Sequence, residues 1–233
     1  MNKTGSKTLD ASTWRRRQIG VYQMKTEQIM NPLPWSKASF GVQPDKTMLG
    51  IVSSIENMGA AFPGFARVYA GMFYKKMVAR EIALSGITPG MSVLHVGCGP
   101  LPMTAIYLAR FGARVIAMDS EPAALLQAER SVKREACGSR VKLDSGCGTC
   151  IDYSGFDAIW FSLHVHPLER VVRHALETSE SHTALVCRVP RGSLARLYKE
   201  VDRKAFAEKV EWTEIRQPFG KKSILIKKTS AML

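Results

Sequence analysis

The chain has 233 residues and a formal net charge of +13, from 33 Lys and Arg against 20 Asp and Glu; it can bury a full core and presents a surface that attracts anions. No run approaches the roughly 18 apolar residues of a membrane span, and the opening Met-Asn-Lys-Thr-Gly-Ser-Lys leads into polar sequence rather than an apolar secretory core. The expectation is a cytoplasmic chain with no membrane partner. Five cysteines, an odd number with three in or beside predicted strands, suit reduced thiols better than a disulfide framework.

Residues 1–88 lack strand alternation and carry helical stretches near 14–30, 46–60 and 65–85, separated by breakers such as Asn31-Pro-Leu-Pro34. They are expected to form a helical N-terminal cap. Thr88-Pro-Gly90 is a turn signal, and from residue 89 to 233 the pattern changes to short apolar strands alternating with helices. Strands are expected at 92–96, 114–118, 140–144, 157–163, 183–189, 209–216 and 222–227. The fold class is α/β, a Rossmann-like doubly wound sheet, with the last two strands forming a hairpin that adds one antiparallel strand.

The first strand runs straight into Gly97-Cys-Gly99-Pro100, and the next helix begins immediately after. Glycines there let the backbone pass close to a ligand, and the first amides of a helix have no intrahelical acceptor, so they are free to donate. Asp119, ending the second strand 22 positions after Gly97 and followed by Ser120, has the spacing of a carboxylate that accepts hydrogen bonds from ribose hydroxyls. A dinucleotide site would show a third glycine where Pro102 stands, which favours a cofactor without a pyrophosphate. S-adenosylmethionine (SAM), bound in a class I methyltransferase type of sheet, satisfies this.

Ligands in such sheets bind outside the carboxyl ends of the strands. After the third strand Cys147 stands where methyltransferases of this architecture often carry an acid for the adenine amine, and Asp144 or the backbone of Gly146 to Thr149 are the alternatives. Cys147-Gly-Thr-Cys150 also has redox or metal-ligand spacing, but a zinc site asks for two such pairs or nearby histidines; no metal is expected. Ser162 and His164 fall at the exit of the fourth strand, where a cofactor contact or a base belongs, with His166 two residues on. In the cap, Tyr74 and Glu81 are two helical turns apart and share one face, so a phenol and a carboxylate are candidates to meet an attacking amine and take its proton.

Three segments resemble the nicotianamine synthase group. Gly97-Cys-Gly-Pro-Leu-Pro-Met-Thr104 is similar to its Gly-x-Gly-Pro-Leu-Pro-x-Thr. Arg188-Val-Pro-Arg-Gly-Ser-Leu-Ala-Arg-Leu-Tyr-Lys-Glu-Val-Asp202 is similar to the segment after the fifth strand of that group. Phe62-Pro63 with Tyr74 and Glu81 resembles its Phe-Pro start and Tyr-x6-Glu helix. The resemblance implies a SAM-dependent enzyme in which an amine attacks the γ-carbon of the aminocarboxypropyl arm and methylthioadenosine leaves. The acceptor is then a small amine or amino acid, giving nicotianamine-like or opine-like products, or SAM itself, giving azetidine-2-carboxylate. Arg188 and Tyr198 become candidates for contact with the carboxylate of the arm. Methyl transfer to a small molecule is the alternative. An RNA-binding or RNA-modifying role ranks below both, because the basic residues are dispersed and no aromatic-interleaved motif accompanies them.

Overall fold

The computed structural model describes residues 63–192, 195, 206, 210–218 and 220–229, without the side chains of residues 63–72. All of these lie in one compact unit, Ile55–Leu233; a second unit, Met1–Ser54, lies outside the described residues. The helical stretches expected near 14–30 and 46–60, and Tyr198, also lie outside them.

The described elements are α1 (Pro63–Ser85), β1 (Ser92–Val96), α2 (Met103–Phe111), β2 (Arg114–Asp119), α3 (Pro122–Arg134), β3 (Val141–Ser145), β4 (Ala158–Phe161), α4 (Leu168–Thr178), β5 (Ala184–Pro190), β6 (Val210–Gln217) and β7 (Lys221–Lys228). They form a seven-stranded sheet of order β3-β2-β1-β4-β5-β7-β6. β1 to β5 pair in parallel, whereas β7 is antiparallel to both β5 and β6. The chain order reverses between β1 and β4, and that is where an open α/β sheet offers a crevice at its carboxyl edge.

The central strands are apolar on both faces because both are covered. Every residue of β1, β4 and β5 is buried. Alternation then sorts their side chains. Val93, Trp160 and Val186 join a core with Val78 of α1, Ile106 and Leu108 of α2 and Val132 of α3. Leu94, Ile159, Phe161 and Leu185 join the opposite core with Val171, Val172 and Ala175 of α4. Because side chains repeat every two residues, His95 shares a face with Val93, and Arg188 with Val186. Two polar side chains are thereby sent into the layer beneath α1 and α2, where each needs a partner.

α1 packs against α2, β5 and β7. α2 stops at Gly112, whose left-handed backbone (φ +113°) returns N–H groups to the helix end. A side chain there would also meet Pro89 at 2.9 Å, so this glycine is required by conformation and by space.

Candidate active site

The turn after β1 is fixed by backbone bonds to β2: the N–H groups of Gly97 and Cys98 both donate to the Met118 carbonyl, at 2.8 and 3.0 Å. Gly97 and Gly99 are both left-handed (φ +73° and +65°), a conformation costly for side chains that carry a Cβ. Their surroundings differ. A Cβ on Gly97 would lie 2.7 Å from Val165 Cγ2, whereas one on Gly99 would meet nothing within 4 Å. Gly97 is needed for packing, and Gly99 opens a lane along the backbone, with exposed Pro100 and Leu101 beyond it.

Asp119, half-buried at the end of β2, accepts the Gly99 N–H at 2.7 Å on Oδ2 and the Glu121 N–H at 3.0 Å on Oδ1. Each carboxylate oxygen can accept more than one bond, so acceptor capacity remains for hydroxyl groups. Ser120 is exposed beside it. Across the rim Gly146 N–H donates to the Asp119 carbonyl at 3.1 Å, which carries exposed Cys147 into the same edge. Asp144 Oδ1 accepts the neighbouring Ser145 N–H at 2.9 Å.

The β5 side is built differently. Glu81 is fully buried (0% exposed) and Arg188 nearly so (5%). Arg188 grips Glu81 with two parallel bonds, Nε to Oε1 at 2.8 Å and Nη2 to Oε2 at 2.6 Å, and its Nη1 donates to Thr104 Oγ1 at 2.7 Å. Trp160 Nε1 and Ser223 Oγ complete the carboxylate, at 3.0 and 2.6 Å. Glu81 therefore receives four hydrogen bonds and shows no oxygen to solvent. Burial opposes the Arg188 charge, but the bonded carboxylate and nearby Tyr74 outweigh it, so its pKa lies above the ordinary value.

This arrangement changes two expectations. Glu81 and half-buried Tyr74 do share a helix, but the carboxylate is sealed beneath α1 rather than facing open space beside Tyr74. Arg188 finds its carboxylate partner in Glu81, not at the rim. Both follow from strand parity, which turns Arg188 inward, and from the cost of burying a lone charge.

Ser162 lies where β4 ends: its N–H donates to the Val96 carbonyl at 3.1 Å, and its Oγ lies 2.9 Å from His95 Nε2. Burial, with Arg188 nearby, pushes the His95 pKa down to about 3, so its ring is neutral at ordinary pH. Among the described residues its Nδ1 has no hydrogen-bond partner. A bare lone pair is a less costly orphan than a buried N–H; we therefore assign the proton to Nε2, where it donates to Ser162 and leaves that hydroxyl's own proton free. His164 lies at the surface in the loop beyond, its pKa lowered by partial burial of the ring and by Lys221. Lys221 pairs in register with Pro190 at the same end, and burial together with Arg188 lowers its pKa; among the described residues it makes no ion pair.

Trp160, Thr104, Ser223, His95 and Lys221 were not anticipated as site residues. Parity along β1, β4 and β7 could have placed His95, Trp160 and Ser223 on one face, but the pairing is long-range, with Ser223 and Glu81 142 positions apart.

Residues 93–183 match the protein family described as a methyltransferase domain. The seven-stranded sheet with its flanking helices has the class I methyltransferase Rossmann-like fold. Among solved structures it is similar to a glutamate-to-glutamine variant of MtNAS, a nicotianamine synthase, in complex with S-adenosylmethionine (24% identity, TM-score 0.60, 68% of this chain and 62% of that chain). It is also similar to MtNAS in complex with MTA and tNA (22% identity, TM-score 0.63, 76% of this chain and 68% of that one). A third is an RNA methyltransferase from Salinibacter ruber with S-adenosyl-L-homocysteine (14% identity, TM-score 0.53, 68% and 94%). The chain thus spans under two thirds of the first of these relatives. No curated protein matches it by sequence. S-adenosylmethionine is the cofactor that the domain match supports, and the residues present fit it: an open glycine lane, a carboxylate with spare acceptors and a polar strand exit lie along one edge.

Among the described residues no helix is long and apolar enough to cross a membrane, and no group of three or more His, Cys, Asp or Glu could hold a metal ion.

Proposed function

We propose that the chain uses the 3-amino-3-carboxypropyl arm of SAM: an amine attacks the γ-carbon, and methylthioadenosine leaves. The observation that carries this reading is the convergence of all three segments behind the nicotianamine synthase resemblance. Thr104 closes the Pro-Leu-Pro turn, Glu81 comes from the Tyr-x6-Glu helix and Arg188 opens the third segment from within β5, and the three are joined through one guanidinium. A helix preceding the sheet, the cofactor turn and β5 are thereby locked together at one end of the edge.

SAM supplies a sulfonium with three electrophilic carbons. The protein's residues select among them by what they bind and exclude. Asp119 accepts ribose hydroxyls, and Gly97, Gly99 and Pro100 admit the cofactor close to the backbone. The Ser162 hydroxyl, held by neutral His95, donates to an oxygen at the strand exit. Lys221 offers positive charge to a carboxylate, and His164, with its lowered pKa, is the exposed base beside it. Glu81 holds Arg188 and Thr104 in place and sets a fixed negative charge below the reacting end; Tyr74 lies close enough to Arg188 to share that field. Tyr198 and Cys147 remain candidate contacts for the arm and the adenine.

The acceptor is a small amine or amino acid, or the amine of SAM itself, which closes to azetidine-2-carboxylate. Purified protein incubated with SAM, with and without added amines, tests this through the nucleoside released. Methylthioadenosine is expected; S-adenosylhomocysteine without it overturns the proposal and establishes the second reading, methyl transfer, which the domain match over 93–183 favours.

A further inference from the structure

Cys147-Gly-Thr-Cys150 forms a turn in which the Cys150 N–H donates to the Cys147 carbonyl at 2.9 Å. Such a turn brings its first and fourth Cα atoms within about 7 Å, the separation that a disulfide bridges. Both thiols are exposed, and they share one neighbour: Thr149 Oγ1 lies 3.1 Å from Cys147 Sγ and 3.7 Å from Cys150 Sγ. The backbone beneath is held from both ends. Gly146 N–H is tied to the Asp119 carbonyl, Tyr153 O–H donates to the Gly148 carbonyl at 2.7 Å, and a Cβ on Gly148 would press on Val171 at 3.0 Å.

The other half of the contrast is chemical. Burial pushes the Cys98 thiol up to about 12 and raises Cys187 as well, leaving both as apolar filling. Cys147 is shifted down, chiefly by the Thr149 hydroxyl, with Arg170 adding its charge, so it is the nucleophile of the set. Zinc would need further ligands, and among the described residues no third His, Cys, Asp or Glu joins these two.

We infer that Cys147 and Cys150 are a reversible disulfide pair oxidised by hydroperoxides, and that its closure reshapes the edge beside Asp119 and weakens SAM binding; the second half rests on the cofactor site proposed above. The Cys147 thiolate attacks the terminal peroxide oxygen, an S–O bond forms as the O–O bond breaks, and the departing oxygen takes a proton as water or alcohol. Cys150 then attacks the sulfenic sulfur and expels water. Two thiols and one hydroperoxide give one disulfide, one water and one alcohol (a second water from hydrogen peroxide). Closing the bond pulls both sulfurs off Thr149, and since Gly146 is bonded to Asp119, the distortion reaches the carboxylate that meets the ribose.

Peptide mapping of the peroxide-treated full chain is expected to show a loss of about 2 Da in the peptide containing both cysteines, reversed by dithiothreitol. Cys150→Ser removes the resolving thiol, so Cys147 should accumulate as a dimedone-reactive sulfenic acid. The SAM Kd of the oxidised wild type should rise about tenfold, the scale of one good hydrogen bond; by reciprocity, saturating SAM should shift the pair toward the dithiol by the same factor in a glutathione buffer. Wild type that overoxidises at Cys147 as fast as Cys150→Ser, or a disulfide that leaves the SAM Kd unchanged, overturns the inference. A reduced protein that binds no SAM overturns the cofactor-site reading instead, and the mass measurement judges the thiol pair by itself.

Discussion

The two flanks of the Gly97–Gly99 turn solve opposite problems. On the β5 and β7 side, charge is buried and every lone pair of Glu81 is met by Arg188, Trp160 or Ser223. On the β2 and β3 side, Asp119 keeps spare acceptors and the two thiols face solvent. The first flank fixes geometry and tolerates no missing partner; the second can exchange partners, as the proposed cofactor edge requires.

Removing a partner from the buried flank breaks this contrast most severely. Arg188→Met leaves the Glu81 carboxylate sealed without its counter-charge and is expected to cost about 3–5 kcal/mol, read as a lower denaturant midpoint; a loss below 1 kcal/mol would mean that the pair is dispensable. The turn between the flanks gives the next largest effect. Gly97→Ala meets both a disfavoured backbone and Val165, whereas Gly99→Ala meets the backbone alone, so Gly97→Ala should be the more destabilising of the two, Gly99→Ala costing about 1–2 kcal/mol. Equal losses would remove the distinction between packing glycine and lane glycine.

Acid sharpens the same comparison. His95 has a folded-state pKa depressed to about 3 from 6.5, so its neutral form contributes stability that is fully present above pH 6.5 and is lost as pH falls toward 3, at about 1.4 kcal/mol per pH unit. His95→Gln should flatten that part of the stability profile between pH 6.5 and 4, and an unchanged slope would exclude His95 as its source. On the open flank, Asp119→Ala should leave the fold nearly intact while weakening SAM binding about tenfold to a hundredfold, the scale of hydrogen bonds to a charged group. Unchanged affinity by calorimetry would remove Asp119 from the ribose site. Smallest is Lys221→Met, expected to raise the KM for SAM severalfold with little change in Tm, because this lysine makes no ion pair among the described residues.

What was legible in the residues is what local pattern encodes. The apolar runs place β1 at Ser92–Val96 and β5 at Ala184–Pro190 within one residue of expectation, and the break that opens at Pro218 does separate a hairpin whose second strand, beginning at Lys221, runs antiparallel in the sheet. The fourth strand, Ala158–Phe161, is shorter than the expected 157–163, because the chain turns just after Ser162, whose carbonyl accepts the Val165 N–H at 3.2 Å. Which polar groups would bond one another was not legible. Glu81 and Arg188 are 107 positions apart; helix spacing showed only that Tyr74 and Glu81 share a face, and strand parity only that Arg188 points inward. The thiol pair was visible as a spacing, and the shared Thr149 contact was not.

The bond from Arg188 to Glu81 also bears on where this chain could be cut. Glu81 sits on a helix that precedes the first strand, so a fragment beginning at Ser92 would keep all seven strands yet strand a guanidinium in the interior with Thr104 as its one remaining hydrogen-bond partner among the described residues. The minimal excisable piece is therefore defined by electrostatics rather than by the sheet, and it has to start upstream of residue 81.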